Sequence, residues 1–553
     1  MHMIIRKLTR IKSSVCALTL LIVSNTPVIS QIYVAPNGSD SNPGTIERPL
    51  ESLQKAQELA SPGDIVYVRG GIYKVRQDQI SKVVSNLFAC VTYLDKSGTE
   101  GHTMNYRAYP GERPIFDFSA VKPANERVAG IYVVGSYIHI KGLEMTGVQV
   151  TITTHTESYC IYSLGSHSIF EQISMHDNVG TGLRHYNGGY NLFLNCDSYR
   201  NWDSVSEDKL GSNTDGFGCH PNSSGAGNVF RGCRSWFNSD DGYDIIRSGA
   251  AVVFDSCWSF YNGYSTSFQS LGDGNGFKAG GYAYDVASKI PNPVPRNTIE
   301  FCIAVGNKSN GFDSNHHLNG NYWYNNSAYK NDINFNMVNR RSPQADSSIW
   351  EPGYNHVLKN NLSYKARSSD TAYIDTSKNT LSHNSFDSGF NLTDKDFVSL
   401  DESQLMAQRK SDGSLPDIDF MKPATGSKLI DAGVYIGFPF AGKAPDIGAL
   451  ETDYPTFVKS LKNTAPDNIV LHQNYPNPFN PVTNIVYEIP FSANVQLSIY
   501  DMLGQKVNTL VNETEKRGTY RVQFEGSSLS SGVYFYRLTV SGTSMVKQFI
   551  LLH

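Results

Sequence analysis

One short pattern of inward and outward positions recurs along the middle of the chain. Cys196-Asp-Ser-Tyr-Arg-Asn201, Cys233-Arg-Ser-Trp-Phe-Asn238, Cys257-Trp-Ser-Phe-Tyr-Asn262 and Cys302-Ile-Ala-Val-Gly-Asn307 share a frame that Asn326-Ser-Ala-Tyr-Lys-Asn331 continues. A period of two sends the first and third side chains of each frame inward, as in a strand, and the Asn closes the strand at a bend. The closing asparagines fall at 178, 201, 238, 262, 307 and 331, so the shortest coils are 23 or 24 residues and the longer ones are the same unit with insertions. One strand-and-turn unit per period is the mark of a solenoid. Strands stacked about 4.8 Å apart predict an all-β parallel β-helix, in which each Asn amide bonds its counterparts in the coils above and below. The cysteines then form an internal ladder of small apolar groups, since the paired short spacings of a metal–thiolate cluster are missing.

A second frame runs Asp or Asn, Gly, aromatic, variable: Asp215-Gly-Phe-Gly218, Asp241-Gly-Tyr-Asp244, Asn275-Gly-Phe-Lys278 and Asn310-Gly-Phe-Asp313. Glycine is expected to permit a bend, the aromatic ring to turn inward and the fourth residue to face out. Asp244, Lys278 and Asp313 should therefore stand in one file on the outer surface. Insertions at Ser204 to Ser212, Gly263 to Gly274 and Gly280 to Pro295 are placed to wall this file into a groove.

The ends of the chain read differently. Arg6, Lys7, Arg10 and Lys12 precede the apolar run Val15 to Val23 and then Val28-Ile29-Ser30, which predicts a signal peptide over residues 1–30. Ser52 to Ala60 has a short helical pattern suited to capping the open end of the stack, and the far end is expected to close near Asp446-Ile-Gly-Ala-Leu-Glu451. The helical domain is thus expected over 31–451, a linker over 452–466 and a small C-terminal β-sandwich over 467–553, from runs such as Val495-Gln-Leu-Ser-Ile-Tyr500 and Gly532-Val-Tyr-Phe-Tyr-Arg-Leu-Thr-Val540. In this tail Asn474-Tyr-Pro-Asn-Pro-Phe-Asn-Pro481, the Asp501-Met-Leu-Gly-Gln turn and Val546-Lys-Gln-Phe-Ile-Leu-Leu resemble the C-terminal sorting domain of the type IX secretion system. That resemblance implies the outer-membrane secretion machinery as a partner, and release or attachment at the cell surface. A carbohydrate-binding module is the rival reading, weakened because the tail has no tryptophan to make a sugar platform.

Composition adds two limits. Charged residues make up 18% of the chain, against 47 Gly, 32 Tyr and 27 Phe, which favours short strands and tight turns over charged helices. A net charge of -4 gives no basic field, so nucleic acid is not an expected partner, although a polyanion could still meet a local cation.

The candidate chemistry lies in the second frame. Asp215 and Asp241 occupy equivalent places one coil apart, with Asp240 and Asp244 beside the second. Four carboxylates so gathered repel one another unless protons or a cation neutralise them, and hard oxygen donors suit Ca²⁺. Lys278 follows one coil after Asp244, next to the proposed ion. A Ca²⁺ bound to a uronate carboxylate would stabilise the charge that develops as the C5 proton leaves, and a lysine could take that proton. A nearby cation lowers the lysine's pKa while the carboxylates raise it, and an alkaline optimum is expected.

With these residues in place the chain resembles polysaccharide lyase family 9, from Ile32-Tyr-Val-Ala-Pro-Asn-Gly through the coils to Ala444-Pro-Asp-Ile-Gly448. The resemblance implies a right-handed parallel β-helix with an asparagine ladder, a calcium site carried onto Asp215, Asp240, Asp241 and Asp244, and a catalytic base carried onto Lys278. It implies a monomer acting on an acidic plant polysaccharide of the pectin class, with pectate lyase the leading expectation and rhamnogalacturonan lyase the alternative. Arg247 and His316 are either ligands of substrate carboxylates or ordinary surface residues. Three other classes remain: an inverting hydrolase using acids such as Asp240 and Asp241, an epimerase sharing C5 proton abstraction, and a non-catalytic adhesin whose aspartates hold a structural ion.

Overall fold

The computed structural model describes residues 30–551 apart from 155–156, 283–286, 341–349, 388, 453–468 and the single positions 476, 478, 480, 503 and 528. The expected signal segment and linker therefore lie outside the described residues but for Ser30 and Thr452.

The frames stack as their alternation predicts. The chain winds through three long sheets of 12, 10 and 11 strands, one strand of each per coil. Leu192–Leu194, Asp197–Tyr199 and Phe217–Pro221 make one coil, and Asn228–Arg231, Arg234–Trp236 and Tyr243–Asp244 make the next. Pairing within these sheets is parallel except where Lys82–Val84 joins Phe88–Leu94 at the end of the third. Because the register repeats, equivalent residues of successive coils lie in rows along the axis, and each row has its own chemistry.

The asparagine row is continuous. Asn178, Asn201, Asn238, Asn262 and Asn307 each donate from Nδ2 to the Oδ1 of the next, ending at Asn331, at 2.8, 2.9, 3.0, 3.1 and 2.9 Å. The thiol row is buried and free of disulfides, and it passes into Asn326, Asn361 and Asn384, the amides bonding at 3.0 and 2.8 Å. Arg200, Phe237, Tyr261 and Lys330, each just before a row asparagine, have φ of 54, 53, 58 and 54°. Left-handed backbone is uncommon outside glycine, and here the amide bonds of the following residue hold it once per coil. Inside, Phe217, Tyr243, Phe277, Phe312 and Phe335 stack at 5.2, 4.7, 5.1 and 4.9 Å between centroids. Each such side chain contributes about 2–3 kcal/mol of apolar burial.

The glycines of the second frame are needed for space rather than for a bend. A Cβ on Gly216 would stand 2.0 Å from Ser235 Oγ, and one on Gly242 would stand 2.1 Å from Ser259 Oγ and 2.8 Å from Asn262 Nδ2. Neither glycine has positive φ. The asparagine row thus presses directly on the backbone that carries the file of Asp244 and Lys278.

A helix caps the first end, whereas the segment that finishes near Asp446 to Glu451 covers a side of the stack rather than its far end. The helix Leu53–Leu59, capped by Ser52 accepting from Lys55 N–H at 3.0 Å, buries Leu53 and Ala56, and Gln57 Nε2 donates to Tyr93 O at 2.9 Å. The last strand of the stack is Thr380–Ser382. Beyond it, Phe397, Leu405, Phe420, Leu429 and Ile447 pack against Trp258, Phe260 and Tyr329 on the outer face of the second sheet. Gly448 N–H then returns to Asn360 O at 2.8 Å and Ala449 N–H to Ser327 Oγ at 2.9 Å.

The tail forms antiparallel sheets of three and four strands around Phe479, Ile485, Tyr487, Leu497, Tyr536 and Phe549. One of its strands, Lys506–Glu515, was not among the expected runs; its pairing with Ala493–Tyr500 slips at Leu497/Ser498 and at Ile499/Tyr500, which breaks the simple alternation.

Candidate active site

The outer row of the third sheet is the predicted file. Register pairs Arg184 with Gly218, Gly218 with Asp244, Asp244 with Lys278, Lys278 with Asp313 and Asp313 with Asn336. Three residues before each file position runs a second row, Asp215, Asp241, Asn275 and Asn310, and three residues after it runs a third that includes Arg247, Gly281 and His316.

Carboxylate oxygens of Asp215, Asp241 and Asp244 lie within 4.8 Å of one another, all buried. Asp240 flanks this group: it is buried, and its Oδ1 accepts Asp273 N–H at 2.8 Å. Lys278 Nζ is 2.9 Å from Asp241 Oδ2 and 3.6 Å from Asp244 Oδ2. Asp241 Oδ1 is held by Asn275, whose backbone N–H and Nδ2 donate at 2.7 and 2.9 Å, while Ile246 N–H donates to Asp244 Oδ1 at 2.7 Å. Asp215 Oδ1 is buried with no hydrogen-bond partner.

The electrostatics follow from this crowding. Burial, then the charges of Asp244 and Asp241, push the Asp215 carboxyl well above the usual range, and burial with Asp241 and Asp215 does the same to Asp240. Burial raises Asp241 as well, against the pull of Lys278. Asp244 is the exception: burial opposes its charge, but Lys278, His220 and Arg184 hold it below the usual range. Burial disfavours the Lys278 ammonium too, yet Asp241, Asp244, Asp240 and Asp215 outweigh it and lift the pKa well above that of an ordinary lysine.

Arg247 is exposed at the rim in left-handed backbone, its N–H donating to Gly281 O at 3.2 Å. His316 is buried, and burial together with the Lys278 charge lowers its pKa to about 4, so its imidazole is neutral at pH 7.

Sequence reasoning missed Arg184. It heads the file, its Nη1 pairs with Glu157 and lies 3.9 Å from Asp215 Oδ2. A Cβ on Gly218 would come 3.3 Å from Arg184 Cγ, so the glycine leaves room for this side chain beside the aspartates. The signal was present as Thr181-Gly-Leu-Arg184, the second frame one coil earlier, hidden because Thr stands for Asp and Leu for the aromatic. Gly182 is confined like its counterparts, since a Cβ there would stand 2.1 Å from Ser198 Oγ.

Comparison with known proteins identifies the domains. Residues 32–361 match the Pel9A-like right-handed β-helix region, 375–460 a rhamnogalacturonan lyase-like C-terminal region and 473–552 a secretion system C-terminal sorting domain. Pectate lyase L of Dickeya chrysanthemi is 37% identical over 428 residues, covering 76% of this chain and 90% of that protein. The counterpart in Dickeya dadantii (strain 3937) is 36% identical over 428 residues, covering 76% of this chain and 90% of that protein. Among solved structures, a rhamnogalacturonan lyase is 42% identical with a TM-score of 0.69, covering 71% of this chain and 96% of that one. Pectate lyase Pel9A is 34% identical with a TM-score of 0.62, covering 77% and 97%. With the family model matching over residues 32–361 and a relative 37% identical, the chain belongs to the Pel9A-like right-handed β-helix family of polysaccharide lyases and carries a type IX secretion sorting domain.

Proposed function

We propose that this chain is a secreted, calcium-dependent pectate lyase that breaks polygalacturonate by β-elimination, with Lys278 as the base. The observation that carries the reading is the Lys278 amine on the outer row, 2.9 Å from Asp241 and 3.6 Å from Asp244, beside three converging carboxylates. The donor set fits Ca²⁺: hard oxygens only, one of them, Asp215 Oδ1, buried without a partner. Asp215, Asp240, Asp241 and Asp244 would hold the ion, which supplies a positive charge for the uronate carboxylate and for the electron density left at C5. Lys278 Nζ takes the C5 proton, the C5 electrons form the 4,5 double bond, and the C4–O bond breaks with its electron pair on the oxygen of the leaving chain, which takes a proton from solvent. Asn275 fixes Asp241, and through it the amine, by two hydrogen bonds. Arg247 and His316, on one wall of the file, bind the chain, His316 as a neutral hydrogen-bonding ring. Since the ammonium must first lose its proton, activity rises with pH. The sorting domain hands the protein to the outer-membrane secretion machinery, and the enzyme works as a monomer outside the cell, free or attached to its surface.

Rhamnogalacturonan as substrate is the second reading, favoured by the name of the 42% identical structure and by the match over residues 375–460. Both are tested by the near-ultraviolet absorbance of 4,5-unsaturated uronide on each polymer, with calcium and with chelator. A calcium-dependent rise names the substrate, and Lys278→Ala should cut it by about 10²- to 10⁴-fold. Chain shortening without absorbance would replace the lyase with a hydrolase, and binding with no reaction would leave an adhesin.

A further inference from the structure

Beyond Lys278 the file continues through Asp313 to Asn336, and Asn336 is paired with Ala372. The chain then leaves the stack: Val338–Arg340 turns into an antiparallel pair with Trp350–Pro352, where Trp350 lies opposite Arg340. This pair brings Trp350 against two other rings. Its centroid is 5.7 Å from that of His316 at 69° and 6.1 Å from that of Tyr373 at 68°. Tyr373 follows Ala372, the row's next member after Asn336, and His316 is close enough to Lys278 to feel its charge.

Two of the three rings in this cluster reach the water boundary, while His316 is buried. Trp350 is 51% exposed and Tyr373 38%. The other four tryptophans are covered to a greater extent: Trp323 and Trp258 are buried, Trp236 is stacked between Tyr199 and Phe260, and Trp202 is half-buried. Both ring contacts of Trp350 are edge-to-face rather than stacked, and about half of the residue's surface is open to water. An aromatic face of this kind matches the C–H face of a pyranose ring, whose hydroxyls stay in water at its rim.

We propose that Trp350, supported by His316 and Tyr373, is a distal subsite that stacks on a pyranose ring of the substrate chain. The proposal rests on the lyase reading of the file and adds direction to it. Asn336 lies two strand steps from Lys278, about 10 Å along the axis at the usual strand spacing. Trp350 itself meets His316, whose coil is one strand step beyond Lys278, so a glycan lying along the file with the reacting uronate at Lys278 would bring a residue one or two places away to the indole. The subsite holds the polymer and takes no part in the proton transfer, so Trp350 is a positioning residue.

The test compares wild type, Trp350→Ala and Trp350→Phe on polygalacturonate, on rhamnogalacturonan and on size-fractionated oligosaccharides of each. For Trp350→Ala, KM on the polymer and on long oligosaccharides should rise about 5- to 10-fold with kcat unchanged. KM on the shortest cleaved oligosaccharide should stay the same, and Trp350→Phe should recover most of the loss. Unchanged KM at every length, or an equal rise at every length, overturns the subsite. Affinity electrophoresis in gels containing each polymer separates this proposal from the reading it rests on. If wild type is retarded and Trp350→Ala is not, while no unsaturated product forms, the subsite stands and the lyase assignment falls. If neither protein is retarded by either polymer, the subsite falls.

Discussion

Two bends of the same helix carry rows of Asx side chains, and only one of them leads into the candidate site. In the first, from Asn178 to Asn331, every amide donates toward the following coil and every oxygen accepts, so the row is closed to anything else. In the second the direction is reversed: Asn310 Nδ2 donates to Asn275 Oδ1 at 3.0 Å and Asn275 Nδ2 to Asp241 Oδ1 at 2.9 Å. There the row stops, because Asp241 and Asp215 have no N–H to pass on. Two amides changed to carboxylates turn a structural ladder into a set of buried oxygens that need a positive partner. In the protein alone Lys278 is that partner.

Restoring the ladder should therefore abolish the site. Asp241→Asn keeps an acceptor for Asn275 and removes one charge. It should lower kcat/KM on the order of 10²- to 10³-fold and shrink the fall in Tm that a chelator causes in wild type, as calorimetry with and without chelator would show; wild-type activity in this variant would refute the assignment of Asp241. The reverse experiment breaks the inert row. Asn262 donates to Ser235 O, Ser259 Oγ and Asn307 Oδ1 at 3.1, 3.0 and 3.1 Å and accepts twice from Asn238. Asn262→Ala strands buried partners and should cost about 2–4 kcal/mol, read from the urea midpoint, with activity per folded molecule changed less than the stability.

A third place solves the same crowding with a proton. Near the end of the helical part Glu451 lies buried beside Asp446, accepting from Asp446 N–H at 3.1 Å. Burial first, and the Asp446 charge second, push its carboxyl up to about 8. A raised folded-state pKa means that this group's stabilisation is complete below the ordinary glutamate range and is lost as pH rises through about 8. Glu451→Gln should therefore be no more stable than wild type at pH 4, and more stable at pH 9 by on the order of 2 kcal/mol. Parallel denaturation curves across that range would show that the proton has no such role.

The repeat spoke plainly in the sequence because strand alternation and the Asn bend recur in nearly fixed registers. The thiol ladder, the inward aromatics, the file of Asp244, Lys278 and Asp313, and the tail sandwich all follow from local period and turn chemistry. Arg184 was obscured where the frame's residue types changed while its geometry did not. The need for glycine at 216 and 242 came from a neighbouring bend, which no local pattern contains.

What the sequence by itself determined is which residues share a row, since a coil that repeats in register carries its side chains with it. Only the tertiary structure decided how the rows meet. It set the convergence of Asp215, Asp241 and Asp244, the capture of Asp241 by Asn275, and the sign of the field on Lys278. It also brought Trp350 against His316 and Tyr373. These depend on distances across coils and between bends, and electrostatic and packing energies vary steeply over those few ångströms.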